Sequence, residues 1–166
     1  MLLIFCLPEF GYYDNPMLGK NVTINLDSGE VYAFNLGIKD KHLQNRIFDD
    51  YGFVMKADGY NLRINGNGAT IKNTDEYSLG FLYINRDSTV ALNNLTISDF
   101  KLAFVNMGNC AANSCKFVNN VNDNILASRS LFNNEGGVMY NYCLASLNNC
   151  TFDSNDAHYE IYKVWF

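Results

Sequence analysis

The sequence predicts an all-β fold: a single-stranded parallel β-helix, or solenoid, of about five coils with an atypical N-terminal cap. Three observations predict it: an internal repeat, apolar residues that alternate with period two inside each repeat, and 25 Asn among 166 residues. The length is enough for one domain with a single core. Short strands without a helical stretch cannot bury an apolar face alone, but stacked repeats bury it continuously.

The clearest repeat relates residues 103–120 to residues 138–155, which lie 35 positions later. Two earlier copies, residues 90–97 and 64–71, fit the same template, in which two alternating apolar segments flank an Asn. Alternation with period two is typical of β-strands. Because the phase of the alternation shifts at the Asn, each copy is predicted to be two short strands joined at a corner.

The excess of Asn has a structural explanation in this arrangement. After Gly, Asn is the least penalised residue where the backbone turns left-handed, and its amide can bond the same residue one coil away, ~4.8 Å along the axis. Ligand binding by these amides is the alternative, but identical residues in every coil favour stacking. We therefore expect a structural ladder of four amides: Asn67, Asn93, Asn113 and Asn148.

A fifth, weaker copy over residues 125–132 would lie between the last two and place Ser130 in the column of Cys115 and Cys150. With this coil present, the two cysteines are about 9.6 Å apart, which is beyond the ~7 Å limit for a disulfide. Without it they are direct neighbours at about 4.8 Å. The fit of the apolar residues favours the intervening coil, and therefore free, buried thiols.

The domain organisation follows from where the template begins. Residues 1–60 do not fit it. Residues 1–52 are expected to form the N-terminal cap and entry strands, while residues 53–166 form the coils of one continuous domain. Within the cap, residues 21–27 alternate as a strand, residues 31–36 are an apolar run, and residues 39–48 are compatible with helical turns.

The two ends of the chain leave alternatives open. Residues 1–7 are apolar and represent either a truncated signal peptide or an ordinary strand. Residues 159–166 end in Val-Trp-Phe, and either they cap the stack as a short strand or the chain is a fragment of a longer protein.

Charge and cysteine content argue against several functions. The net charge is -5 and the Lys and Arg are scattered, so the sequence shows no electrostatic surface for nucleic acid. No apolar run approaches the ~20 residues of a membrane-spanning helix, and we expect no membrane insertion. The five Cys form no C-x-x-C motif, and we expect no metal and no other cofactor.

Several passages resemble a known family: LRINGNGATI at 62–71, LNNLTI at 92–97, GGVMYN at 136–141 and LNNCTFDSN at 147–155. They resemble the adhesin-like parallel β-helix proteins of methanogenic archaea and share the Gly-Gly-apolar and Phe-x-x-Asn signatures of polymorphic outer-membrane proteins. The resemblance covers roughly residues 50–155. It implies a right-handed, pectate-lyase-like β-helix that is secreted or exposed at the cell surface and that functions in adhesion. Cys, Ala or Ser stands at some aliphatic positions of that pattern.

Carbohydrate chemistry is the alternative function, because many β-helices are polysaccharide lyases or hydrolases. Glycosidases need two carboxylates held roughly 5 to 9.5 Å apart. The candidate pairs are Asp49 with Asp50, Asp75 with Glu76, and Asp153 with Asp156. The resembled galacturonase-type enzymes also carry Gly-His-Gly and Arg-x-Lys motifs, which this sequence lacks. His42 and His158 have no nucleophile and orienting carboxylate at a recognisable spacing, so we expect no catalytic residue.

Tyrosines outside the strongest repeat columns predict where a ligand binds. Their planar rings stack on the apolar faces of sugars while amides bond the hydroxyls, although half-buried packing is the alternative. The candidate binding face consists of Tyr77, Tyr83, Tyr140, Tyr142 and Tyr159. The expected function is thus a non-enzymatic binding face for a glycan or for a surface protein of another cell.

Overall fold

A computed structural model of the chain describes residues 18–35, 53–74, 80–122 and 137–157. These ranges contain sixteen β-strands and no helix, and so no helical segment long and apolar enough to cross a bilayer. Every strand pairing within them is parallel. The prediction of an all-β fold built from stacked parallel strands is confirmed.

The strands form four sheets, and strands that follow one another along the chain belong to different sheets. Sheet 1 contains, in spatial order, β1 (Asn21–Asn25), β4 (Asn61–Asn65), β7 (Thr89–Asn93), β10 (Asn109–Asn113) and β14 (Leu144–Asn148). Sheet 2 contains β2 (Val31–Phe34), β5 (Thr70–Asn73), β8 (Thr96–Ser98), β11 (Lys116–Val118) and β15 (Thr151–Asp153). Sheet 3 contains β3 (Phe53–Ala57), β6 (Gly80–Ile84), β9 (Leu102–Asn106) and β13 (Met139–Asn141), and sheet 4 contains β12 (Val121–Asn122) and β16 (Asp156–Ala157).

A strand of sheet 1 together with the sheet 2 strand that follows it is termed a rung, and the rungs are numbered along the chain from β1–β2 to β14–β15. Each successive pass of the chain adds one strand to sheet 1 and one to sheet 2, which is the arrangement of a solenoid. Inward side chains at matching positions stack in columns. One column consists of Tyr32, Ile71, Ile97, Phe117 and Phe152.

The corner after each sheet 1 strand turns through left-handed backbone. The residues at this position from the second to the fifth rung have φ between 48° and 54°: Asn67, Asn94, Ser114 and Asn149. A second left-handed position follows sheet 2 and is occupied by Asp99, Asn119 and Ser154. Short polar side chains tolerate this conformation best among non-glycine residues, which explains the four Asn found at these positions.

The amide ladder is present at the last residue of each sheet 1 strand. In each step the Nδ2 of one Asn donates to the Oδ1 of the Asn in the preceding rung, over 2.8 to 3.2 Å. The ladder consists of Asn25, Asn65, Asn93, Asn113 and Asn148.

Asn67 is not a member of this ladder, and its assignment there was wrong. The register pairs Asn65 with Asn93 but Ile71 with Ile97, so the corner of the second rung is two residues longer than that of the third. An alignment that keeps one offset between the two copies therefore misplaces the residues before this corner by two positions. Asn67 occupies the left-handed position instead, and its Nδ2 donates to the Leu26 carbonyl at 2.9 Å.

No coil separates the fourth rung from the fifth. β10 pairs directly with β14, and β11 pairs directly with β15, which brings Cys115 and Cys150 into neighbouring rungs. The predicted coil around Ser130 is therefore wrong, and residues 123–136 lie outside the described ranges. The thiols of Cys115 and Cys150 are free all the same.

The first strands belong to the stack itself. β1 pairs in register with β4, and β2 pairs in register with β5, so residues 21–34 continue sheets 1 and 2 although they do not match the repeat template. Residues 1–17 and 36–52, the rest of the segment expected to contain the cap, lie outside the described ranges. The helical turns predicted over residues 39–48 lie outside the described ranges.

Candidate binding surface

Tyr83 does not lie on an open surface, so its assignment to the binding face is corrected. It is 9% exposed on β6 and packs with the buried Leu102 and Val105. The Phe53 ring meets its ring edge-on with centroids 5.7 Å apart, and the Lys56 ammonium lies 5.8 Å from its ring centroid. This face of sheet 3 is an additional apolar cluster, which strand alternation alone does not reveal.

Tyr140 and Tyr142 form an aromatic pair at the end of β13. Their ring centroids are 4.5 Å apart at an interplanar angle of 63°, and the Tyr142 hydroxyl donates to the Tyr140 hydroxyl at 2.6 Å. Tyr140 is half-buried against the cluster around Tyr83, whereas Tyr142 is 55% exposed. The structure thus brings two of the five predicted tyrosines together. Tyr77 and Tyr159 lie outside the described ranges.

A buried amide on the neighbouring strand β9 fixes the segment that carries this pair. Asn106 is 0% exposed, and its Nδ2 donates to Asn141 Oδ1 at 2.8 Å and to the Leu144 carbonyl at 2.9 Å. Its carbonyl accepts from the Tyr142 backbone N–H at 2.9 Å. Asn141 in turn donates to the Cys143 carbonyl at 2.7 Å. These bonds hold the backbone on both sides of Tyr142 in one conformation.

Sequence reasoning missed the positioning role of Asn106, although its recurrence as Asn141 at the repeat distance of 35 residues was a usable signal. The Asn106 Oδ1 is buried and has no hydrogen-bond partner in the described part of the chain. The residue in register with it on β6 is Ile84, whose side chain has no donor. A buried unpaired oxygen costs about 1–3 kcal/mol, so the bonds made by Nδ2 and the backbone must offset that cost.

Candidate catalytic groups are spread through the chain. Asp153 lies on β15 and accepts from the Ser154 hydroxyl at 3.0 Å, while Asp156 lies on β16. The pairs Asp49–Asp50 and Asp75–Glu76, and both histidines, are outside the described ranges. Within those ranges, no three His, Cys, Asp or Glu side chains lie together in a way that would hold a metal ion.

The cysteines of the inner columns have low reactivity. Burial, and then the proximity of Cys115 and Cys150, raises the pKa of the Cys110 thiol to about 12. Burial also raises the pKa of Cys115, whose Sγ lies 3.6 Å from the Leu92 carbonyl oxygen and 3.5 Å from that of Asn113. Because the thiolate is the reactive form, these two groups are poor nucleophiles at neutral pH.

Comparison of the chain with protein-family models, with curated proteins and with solved structures finds no match in any of the three.

Proposed function

We propose that the protein is a non-enzymatic, adhesin-like binding protein, secreted or exposed at the cell surface, that binds glycans through Tyr140 and Tyr142. Its strands would close into a right-handed parallel β-helix of about five coils. Right-handedness is the rule for connections that return to a parallel neighbour in the same sheet. The family resemblance supports the surface location.

The observation that carries the proposal is the exposed Tyr142 ring, which contacts Tyr140 and lies on a backbone segment fixed by hydrogen bonds. Stacking on the apolar face of a sugar requires a ring that is open to solvent and held in place, and Tyr142 is 55% exposed between backbone groups fixed by Asn106. The hydroxyls of the pair and the exposed Asn141 add donors and acceptors for sugar hydroxyls. A protein ligand remains the second class that such a surface serves.

The net charge of the chain indicates which class of glycan it would bind. The chain carries a net charge of -5, which repels polyuronates and sulfated chains at long range. We therefore propose neutral glycans as the ligand class. Two rings offer a small contact area, so a single site is expected to bind with a dissociation constant of about a millimolar.

A glycan array followed by a titration of the best neutral ligand tests the proposal. Saturation-transfer NMR should show contact with the wild-type protein, and Tyr142→Ala should lose at least about 90% of the signal because the exposed ring is gone, a tenfold change being ~1.4 kcal/mol. Leu144→Ala is the matched control, since it removes an apolar side chain that is 73% exposed on the next strand without removing a ring. Equal binding by Tyr142→Ala and the wild type would refute this site.

The non-enzymatic part of the proposal has its own assay. Incubation with pectin or polygalacturonate, with and without Ca²⁺, should release no product above the buffer background. Product release that is abolished by Asp153→Ala or Asp156→Ala would instead establish the alternative, a carbohydrate-active β-helix enzyme.

A further inference from the structure

Within the described residues, the C-terminal end of the stack leaves the core columns open. Phe152 continues the column of Phe117 but is 51% exposed, whereas Phe117 is 0% exposed. Ala145 continues the column of the buried Cys110 and is exposed on β14. Solenoids need polar capping repeats at such ends, and uncovered edge strands are templates for pairing with another chain.

One series of backbone bonds, at the end of the sheet 1 strands, points the same way in every rung. The N–H after each ladder Asn donates to the carbonyl of the ladder Asn in the next rung, as in Ser114 to Asn148 at 2.9 Å and Asn94 to Asn113 at 2.9 Å. Within the described residues the series therefore ends with an unpaired N–H at Asn149 and, at the opposite end, an unpaired carbonyl at Asn25.

The amide ladder also runs in one direction along the stack, but its donors point toward the opposite end. Each Nδ2 donates toward the N-terminal end of the stack, as in Asn148 to Asn113 and Asn65 to Asn25. Within the described residues, the ladder therefore ends with the acceptor Asn148 Oδ1 at the C-terminal end and with the donor Asn25 Nδ2 at the N-terminal end.

Sheet 2 repeats the pattern at a separate position. Thr151 N–H donates to the Cys115 carbonyl at 2.9 Å, and Thr70 N–H donates to the Glu30 carbonyl at 2.8 Å. Continued past both ends of the described stack, this series leaves the Cys150 carbonyl as an acceptor and the Val31 N–H as a donor. Val31 is 60% exposed.

We infer that the N-terminal end of a second copy of this chain docks on the C-terminal end of the first, so that copies associate head-to-tail. Each of the three bond series then continues across the junction: Asn149 N–H to Asn25 carbonyl, Asn25 Nδ2 to Asn148 Oδ1, and Val31 N–H to Cys150 carbonyl. Tyr32 of the second copy, in the column of Phe152, covers that exposed ring.

The three bond series do not involve Tyr140 or Tyr142, so the inference does not depend on the function proposed for that pair. A head-to-tail contact is heterologous and does not close, so the expected products are open chains of increasing length. Both ends of the described stack take part, and a block at either one stops growth.

Sedimentation velocity of the full chain over a wide concentration range tests the inference. The wild type should show larger species that grow with concentration. Ala145→Lys places an ammonium in an inward column at the junction, where it would be buried without a partner, and should weaken association by at least about 30-fold. Ser146→Lys is the matched control because it adds the same charge to the outward column of the same strand and should associate like the wild type.

The opposite end is blocked by Asn25→Asp, which keeps the acceptor for Asn65 but replaces the terminal donor with a carboxylate that faces Asn148 Oδ1. Each blocked variant alone should be monomeric. An equimolar mixture of Ala145→Lys and Asn25→Asp should form a 1:1 dimer, because each variant keeps the end that the other lacks. Unchanged melting temperatures of both variants verify that their folds are intact.

Two results would overturn the inference. A wild type that stays monomeric at every concentration would show that the two ends do not associate. A mixture that stays monomeric, combined with dimers of Asn25→Asp alone, would show that like ends pair instead.

Discussion

Phe117 and Phe152 occupy the same column in adjacent rungs, and their rings stack with centroids 5.2 Å apart at 17°, yet one is 0% and the other 51% exposed. Both are the middle residue of a three-residue strand in sheet 2. The difference comes from the next rung: the fourth rung has neighbours on both sides, whereas the fifth has a described neighbour on one side only. Position in the stack, and not the local sequence, decides how much a column residue stabilises the fold.

The largest effect expected from this comparison is on the two phenylalanines. Phe117→Asp removes a buried ring and buries a carboxylate without a partner, which should cost about 3–5 kcal/mol or more and remove cooperative melting. Phe152→Asp leaves its carboxylate in water and should cost only about 1–2 kcal/mol. Urea unfolding of both variants measures the difference. Equal losses would contradict the assignment of the fifth rung as the open end.

The next effect is on how the free energy of unfolding depends on pH, and it arises from a thiol in an inner column. An unfolded thiol releases its proton near pH 8.5, whereas burial raises the pKa of Cys110 to about 12 in the folded protein. Below pH 8.5 both states keep the proton. Between the two values only the folded state keeps it, so the free energy of unfolding should fall by about 1.4 kcal/mol per pH unit as pH rises.

Cys110→Ala removes this contribution and should flatten the decline above pH 8.5, a change measured by urea unfolding at pH 8 and 10. Cys115 and Tyr60, whose pKa values are also raised by burial, leave a smaller residual slope. Cys143→Ala is the control, because it removes a thiol that is exposed beside the fifth rung. An identical slope in Cys110→Ala and the wild type would show that the thiol does not titrate as a buried group.

The sequence was informative about columns and less so about corners. The pairs Asn113–Asn148 and Phe117–Phe152 could be aligned because strand segments keep their length from rung to rung. Corners change length without disturbing the sheets, so a fixed offset carried Asn67 into the place of Asn65. The alignment confused two structural positions: the ladder residue is the last in the strand, and the left-handed residue follows it.

Two other errors have different causes. Apolar residues around Ser130 fit the template by composition, but the pairing of β10 with β14 leaves no space for a coil between them. Tyr83 was predicted to face a ligand because it lies outside the repeat columns, whereas it packs with Leu102 and Val105. Alternation along a strand shows that two faces differ and does not show whether the outer one is covered.

The ladder provides a smaller test of the same comparison. Asn93 donates to Asn65 at 3.1 Å and accepts from Asn113 at 3.2 Å, so Asn93→Ala breaks two cross-rung bonds and should cost about 1–2 kcal/mol. Asn148→Ala breaks one cross-rung bond at the exposed end and should cost about 0.5 kcal/mol. Thermal unfolding of the two variants gives the ratio, and a larger loss for Asn148→Ala would contradict the dependence on position in the stack.

The smallest effect should come from a contact that joins two interior rungs outside the core. Lys72 Nζ lies 3.7 Å from Asp99 Oδ2, and the two side chains are 47% and 29% exposed. Partial burial raises the pKa of Asp99, but hydrogen bonds from Asn119 and Ser98 and the charge of Lys72 outweigh it and hold the pKa below its ordinary value. A lowered pKa stabilises the fold above the unfolded value of about 3.9, and this contribution is lost as pH falls through the folded value.

Lys72→Met removes only the cation, so NMR titration should show a higher pKa for Asp99. The unfolding free energy at pH 7 should change by less than about 0.5 kcal/mol, and less still in high salt. A contact between two interior rungs is therefore not strong because of its position alone. The larger effects expected at Phe117 and Cys110 arise because those side chains are buried in the inward columns. A loss above about 1 kcal/mol for Lys72→Met would show that outer contacts between rungs carry more of the stability than burial predicts.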